Sequence, residues 1–216
     1  MAIRVLIADD QPLIRAGLRV ILNHQPDIEV IGEGSNGHQA VKLAWQLQPD
    51  VCLFDIRMPG MDGIEATRIL AGPQSETPFA IVVITTYDLD EYVYNALLAG
   101  ARGFVLKDAG PELLGQAIRA AANGDALISP SVTARLLSTF ARGQVKTEFA
   151  QPLTPLTVRE EAVLARVSRG LTNAEISEEL HISLSTVKTH ITSLMNKLGV
   201  RNRVELAIWA HETGRV

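Results

Sequence analysis

The chain has one cysteine in 216 residues, so no disulfide framework can hold it together. Cys52, inside the apolar run Val51-Cys52-Leu53-Phe54, is expected to be a buried thiol. The sequence also lacks an apolar run near the ~20 residues needed to span a bilayer, which argues against a helical membrane protein. The opening segment, Met1-Ala-Ile-Arg-Val-Leu-Ile-Ala, stops at two aspartates and has no small-residue cleavage site. It is therefore expected to be a strand rather than a signal peptide, and the protein to be cytoplasmic. A further absence is local: from His181 to Val204 there is no Asp or Glu, although Lys188, Lys197, Arg201 and Arg203 all fall there.

The net charge of −4 hides an asymmetry. Residues 1–130 carry nine basic and 16 acidic side chains, residues 131–153 three and one, and residues 154–216 eight and seven. An acidic first part and a locally basic patch in the second imply different partners. Length and an apolar content of 47% suit two packed domains.

In the first half, short apolar runs end on polar residues. Asp9 and Asp10 close Val5-Leu6-Ile7-Ala8, Asp55 closes the run at Val51, Thr85 closes Ala80-Ile81-Val82-Val83-Ile84, and Lys107 closes Gly103-Phe104-Val105-Leu106. Strands are expected at 3–8, 28–32, 51–54, 80–85 and 103–106. Helical spacing lies between them at 13–23, 37–48, 63–71, 89–99 and 111–123. This alternation specifies βα units and a parallel sheet. Active crevices of such sheets lie beyond the carboxyl ends of the strands, so three carboxylates, a hydroxyl and an ammonium converge on one edge. That set suits a divalent cation and a phosphoryl group.

Beyond residue 124 one more helix is expected over Pro130–Phe140, then a polar linker at 143–153. From Thr157 the pattern is helical, with helices expected at 158–169, 173–180, 184–198 and 203–213. Thr157-x-x-Glu160 and Thr172-x-x-Glu175 are capping boxes, and Asn202-x-x-Glu205 is a similar start signal. Ser183 caps the third helix with no acid behind it, leaving a positive helix end suited to a phosphate. On that helix Val187, Ile191, Leu194 and Leu198 share one face. Ser185, Thr189, Thr192 and Asn196 lie opposite, with Lys188 beside them and Thr186 in the first turn. A narrow, acid-free polar face suits a major groove, and the preceding helix and short turn complete a helix-turn-helix.

These motifs resemble those of bacterial two-component response regulators of the NarL/FixJ subfamily across nearly the whole chain. The receiver-like set is Ala8-Asp9-Asp10, Phe54-Asp55-Ile-Arg-Met-Pro59-Gly-Met-Asp62-Gly63, Thr85-Thr86 and Gly103-Phe104-Val-Leu-Lys107. The output-like set is Leu156-Thr-Val-Arg-Glu160, Gly170-Leu-Thr-Asn-Ala-Glu-Ile176, Ser185-Thr-Val-Lys-Thr-His190, Lys197-Leu-Gly-Val and Arg203-Val-Glu-Leu.

The resemblance implies a flavodoxin-like, doubly wound five-stranded sheet of order 2-1-3-4-5 at 1–125, a linker helix and flexible linker at 126–153, and a LuxR-type four-helix domain at 154–216. It makes Asp55 the phosphoacceptor for a sensor histidine kinase. Mg²⁺ is then expected on Asp10, Asp55 and the Arg57 carbonyl, with Asp9 one shell out. Lys107 and Thr85 would contact the phosphoryl group, with Phe104 as an aromatic switch. DNA contacts are expected from Ser185, Thr186, Lys188, Thr189, Thr192, Asn196, Arg201 and Arg203, the two arginines having structural pairing with Glu160 as an alternative. A homodimer on inverted-repeat DNA would use Val204, Ala207, Ile208, Trp209 and His211. An enzyme acting on a small molecule is a rival reading, but Arg57 occupies the place where its second acid is needed. A pure protein adaptor is another, and the acid-free stretch around Lys188 argues against it.

Overall fold

The computed structural model describes residues 2–72, 75, 78–86, 90–128, 155–200 and 202–215. The expected helix at Pro130–Phe140 and the linker at 143–153 lie outside them. The first half alternates β1 (Ile3–Ala8), α1 (Pro12–Asn23), β2 (Ile28–Gly34), α2 (Gly37–Leu47), β3 (Val51–Asp55), α3 (Gly63–Ala71), β4 (Ile81–Thr85), α4 (Asp90–Leu98), β5 (Gly103–Leu106) and α5 (Pro111–Asn123). All strands pair in parallel, in the order 2-1-3-4-5. A two-residue strand, β6 (Leu127–Ile128), extends this sheet beyond β5.

β3 and β4 are buried along their whole length, as strands covered on both faces must be. Alternate residues feed two cores. Leu6, Cys52, Phe54, Val83 and Phe104 belong to one with Ala40, Leu70 and Val93 of α2, α3 and α4. Val5, Leu53, Val82 and Val105 belong to the other with Leu22 of α1 and Ile118 of α5. Burial of Cys52 pushes its thiol pKa up, leaving it inert.

The second half folds as α6 (Val158–Ser168), α7 (Asn173–Leu180), α8 (Leu184–Leu198) and α9 (Arg203–Glu212). Both capping boxes close reciprocally, and Ser183 Oγ accepts from Thr186 N at 3.1 Å. α7 stops at His181, whose left-handed φ of 53° turns the chain toward α8. Val163, Leu164, Ile176, Val187, Ile191, Leu194, Leu206 and Trp209 form the core between the four helices. Among the described residues no helix is long and apolar enough to cross a membrane.

The halves touch. Asn202 Nδ2 donates to Leu97 O at the end of α4, and Val204 packs against the first core of the sheet domain. Asp125, between α5 and β6, accepts from Asn173 N at 2.9 Å and from Arg203 Nη1 at 3.3 Å.

Candidate functional site

Because β1, β3, β4 and β5 are parallel neighbours, Asp9, Asp55, Thr85 and Lys107 arrive at one edge without any long-range coincidence. Asp9, Asp10 and Asp55 each offer a carboxylate oxygen within 4.8 Å of the others. Asp9 and Asp55 are buried, whereas Asp10 is exposed. The Lys107 ammonium lies 2.5 Å from Asp9 Oδ2 and 3.0 Å from Asp55 Oδ2. Its pairing with Asp9 was not foreseen, and it makes Lys107 a bridge between two buried carboxylates.

Asp55 Oδ1 accepts from Ile56 N at 2.9 Å, which leaves Oδ2 toward Lys107. Desolvation raises the Asp55 pKa, with Lys107 opposing that shift. Burial also works against the charge on Lys107, but its pairing with Asp9 and Asp55 prevails and its pKa is raised. Asp9 Oδ2 is buried and has no aligned hydrogen-bond donor despite its charged neighbour. An oxygen so placed, with two further carboxylates within reach, is a donor set that fits a hard divalent cation.

Thr85 is buried at the end of β4, where its carbonyl accepts from Lys107 N at 2.8 Å. Phe104 is fully buried, two positions before the end of β5. Arg57 extends from the loop after β3. Its Nη2 donates to Tyr92 Oη at 3.0 Å and its guanidinium lies over the Tyr92 ring at 5.7 Å. Asp10, Arg57, Met58 and Tyr92 line a cleft of about 390 Å³ beside the carboxylates. Sequence reading missed two supports. Arg15 Nη1 donates to Asp9 O at 2.7 Å. At Gly63 a Cβ would stand 1.9 Å from Asp55 O, so only glycine fits beneath that residue. The Asp62-Gly63 pair was the available signal for the second.

On α8, Val187, Ile191, Leu194 and Leu198 are buried, while Ser185, Lys188, Thr189, Thr192 and Asn196 are exposed and Thr186 is half-buried. Lys188 and Thr192 line a cavity between the two halves, opposite Phe79 and Arg102.

Arg203 departs from expectation. It is largely buried, donates to Asn173 Oδ1 at 2.8 Å and to Leu171 O, and pairs with Asp125. Glu160 is instead held by Lys197 and Ser193, each at 2.8 Å. Lys197 thus takes the place expected for an arginine at Glu160, and Arg203 is engaged elsewhere in this arrangement. Trp209 is 1% exposed in the helical core, which removes it from a dimer seam because its ring fills the space against α6 and α8. Ala207 and Ile208 are half-buried. Arg201 and the His211 side chain lie outside the described residues.

The model of the response regulator receiver domain matches residues 5–119, and that of the bacterial regulatory proteins of the luxR family matches residues 154–210. The chain belongs to the response-regulator family. It is 44% identical over 209 residues to the transcriptional regulatory protein LiaR of Bacillus subtilis (97% of both chains). It is 38% identical over 208 residues to the nitrate/nitrite response regulator protein NarL of Escherichia coli K12 (96% of this chain, 94% of that one). A solved complex of the response regulator RcsB with DNA superposes with a TM-score of 0.58 at 26% identity, covering 98% of both chains. This response regulator therefore joins a receiver to a LuxR-type helix-turn-helix domain for transcriptional control.

Proposed function

We propose that transfer of a phosphoryl group to Asp55 controls promoter binding by this protein, with a sensor histidine kinase as donor. The observation that carries the reading is the gathering of Asp9, Asp10, Asp55 and Lys107 at one sheet edge, in one chain with an exposed, acid-free α8 face. The working division is 1–125 for the receiver, 126–153 for the linker and 154–216 for the DNA-binding part.

Asp55 is the nucleophile. A carboxylate oxygen forms a bond to phosphorus as the bond to the donor's leaving group breaks, and that group departs with the electron pair. Mg²⁺ would be held by Asp10, Asp55 and the Arg57 carbonyl with Asp9 behind them, and when bound it neutralises charge on the transferring group. Lys107 already stands at the attacking carboxylate, so it can exchange Asp9 for a phosphoryl oxygen. The Thr85 hydroxyl bonds another oxygen, and Phe104 changes rotamer as Thr85 moves. The reaction consumes one phosphoryl group on the protein's own side chain, so the chain is a switch rather than an enzyme with an external substrate.

In the described arrangement the receiver faces Lys188 and Thr192 of α8 across a cavity and holds Arg203 and Asn202. Phosphorylation shifts the population to an open form that dimerises on inverted-repeat DNA. In that form Ser185, Thr186, Lys188, Thr189, Thr192 and Asn196 face the groove, with Arg201 and the released Arg203 toward phosphates. Val204, Ala207, Ile208 and His211 remain for the seam. The test is intact-protein mass after exposure to a small phosphodonor with and without Mg²⁺. One added phosphoryl group on the wild type with Mg²⁺, and none on Asp55→Asn, is the expected result. Equal uptake by the variant refutes the assignment.

A further inference from the structure

The cavity between the receiver and the helix-turn-helix domain measures about 210 Å³, and its lining is unbalanced in charge. Arg102, Lys188 and Arg203 lie on it, against Asp125 as the single carboxylate among the described residues. Asp125 is already committed, since its Oδ1 accepts from both Asn173 N and Arg203 Nη1. Among the described residues the walls thus carry two more positive than negative charges, those of Arg102 and Lys188.

Arg102 is the unusual member. It is half-buried in the turn between α4 and β5, and burial lowers its pKa. Its one side-chain hydrogen bond among the described residues is Nη1 to Ala121 O, at a long 3.3 Å. A guanidinium has five N–H donors and a fork that matches an oxyanion. Desolvating even part of such a group without a counter-charge has a cost, which a partner at the cavity wall would offset. The complementary partner is a small anion carrying two charges.

We propose that this cavity binds a phosphate-class oxyanion, gripped by Arg102 of the receiver and Lys188 of α8, with the Thr192 hydroxyl as a neutral donor. A space of this size admits a tetrahedral oxyanion with accompanying water. The excess of two charges favours a phosphate or phosphomonoester dianion over chloride or a monocarboxylate. Such an anion bridges both halves and binds only while they are together, so it stabilises the closed form by linkage. It also occupies Lys188 in the role a DNA phosphate would fill. This regulatory consequence rests on the masking proposed above, whereas the binding site does not.

The test uses the unphosphorylated full-length protein in a chelating buffer, so that the Asp55 cluster carries no metal to attract anions. Inorganic phosphate and glycerol phosphate are titrated by calorimetry and by ³¹P line width, against potassium chloride at matched ionic strength. Saturation near one equivalent is expected, with at least tenfold weaker binding in Arg102→Gln and in Lys188→Gln. The second variant, on an exposed side chain, keeps the test decisive if the first fails to fold. Equal binding of the two probes indicates recognition of the free anion, and preference for the ester indicates a phosphorylated metabolite; either supports the site. Absence of saturation, or wild-type binding by both variants, overturns it. At ten times its dissociation constant, phosphate should weaken retention of a promoter fragment by up to about tenfold. Saturable, Arg102-dependent binding with unchanged DNA affinity keeps the site and removes the masking.

Discussion

Asn202 Nδ2 donates to Leu97 O at 2.6 Å while Asn202 Oδ1 accepts from Val204 N and Glu205 N, both at 2.9 Å. One side chain thus caps α9 and ties it to the last turn of α4. Asn202→Asp keeps the acceptor needed by the cap but places a carboxylate against the Leu97 carbonyl. Under the masking reading, this variant should bind promoter DNA several-fold tighter than wild type without phosphorylation, with little change in helical stability, since Asn and Asp cap equally well. Asn202→Ala should add a loss of about 1 kcal/mol from the missing cap. Fluorescence anisotropy and chemical denaturation of the full chain separate the two effects. Unchanged affinity in Asn202→Asp would show that the tie does not restrain the domains.

Lys188→Ala should weaken DNA binding by about 1–3 kcal/mol if the ammonium reads a base edge, and relax preference at one position of the site. A loss spread evenly over all sequences, with a shallower salt dependence, would make it a phosphate contact. Selection from a randomised DNA pool distinguishes these outcomes, and unaltered binding would take Lys188 out of the interface.

Removing residues 1–150 should give binding to an inverted repeat that no longer requires phosphorylation. Gel retardation at equal protein concentration provides the comparison. If the remaining domain binds no better than the unphosphorylated full chain, receiver-driven dimerisation replaces masking as the mechanism.

Glu160 offers a pH test in the helical domain. Burial opposes its charge, yet hydrogen bonds from Lys197, Thr157 and Ser193 outweigh that and hold its pKa at about 2, against a usual 4.5. A depressed folded-state value contributes stability above the unfolded pKa and loses it as pH falls toward the folded one. The Glu160 contribution, at most about 3 kcal/mol, should therefore disappear between about pH 5 and pH 2. Denaturation of wild type and Glu160→Gln across that range should show the two curves converging at low pH. A constant gap would mean that the carboxylate charge is not what stabilises the site.

Gly63→Ala should distort the phosphoacceptor loop, because the new methyl meets the Asp55 carbonyl at 1.9 Å. A loss of about 1–3 kcal/mol is expected from the forced backbone shift, together with slower phosphoryl uptake as Asp55 is displaced. Wild-type uptake at reduced stability would show that Asp55 tolerates the shift.

The receiver was legible because its constraints are local. An apolar run that ends on Asp55 must present that carboxylate at the same edge as Asp9 and Lys107 once the strands are parallel. The α8 faces were equally readable, since a 3.6-residue period sorts Val187 from Lys188 without knowledge of the partner. β6 escaped because two residues contain no period. The pairing of Arg203 escaped for a different reason: its partner Asp125 is 78 residues away in sequence, in the other half of the chain. Trp209 was misplaced because α9 is covered from two directions, by α6 and by the receiver, so neither of its faces has a clean polar stripe.

Asp125 sits between the last receiver helix and β6, inside the folded receiver rather than in the segment that joins the halves. The contact between the halves is therefore made by residues of the folded parts themselves, Asp125 on one side and Asn173 and Arg203 on the other. A single substitution at Asp125 removes the acceptor of both bonds at once, so the grip between the halves can be retuned there while the Asp9, Asp55 and Lys107 cluster and the exposed α8 face keep every residue they have.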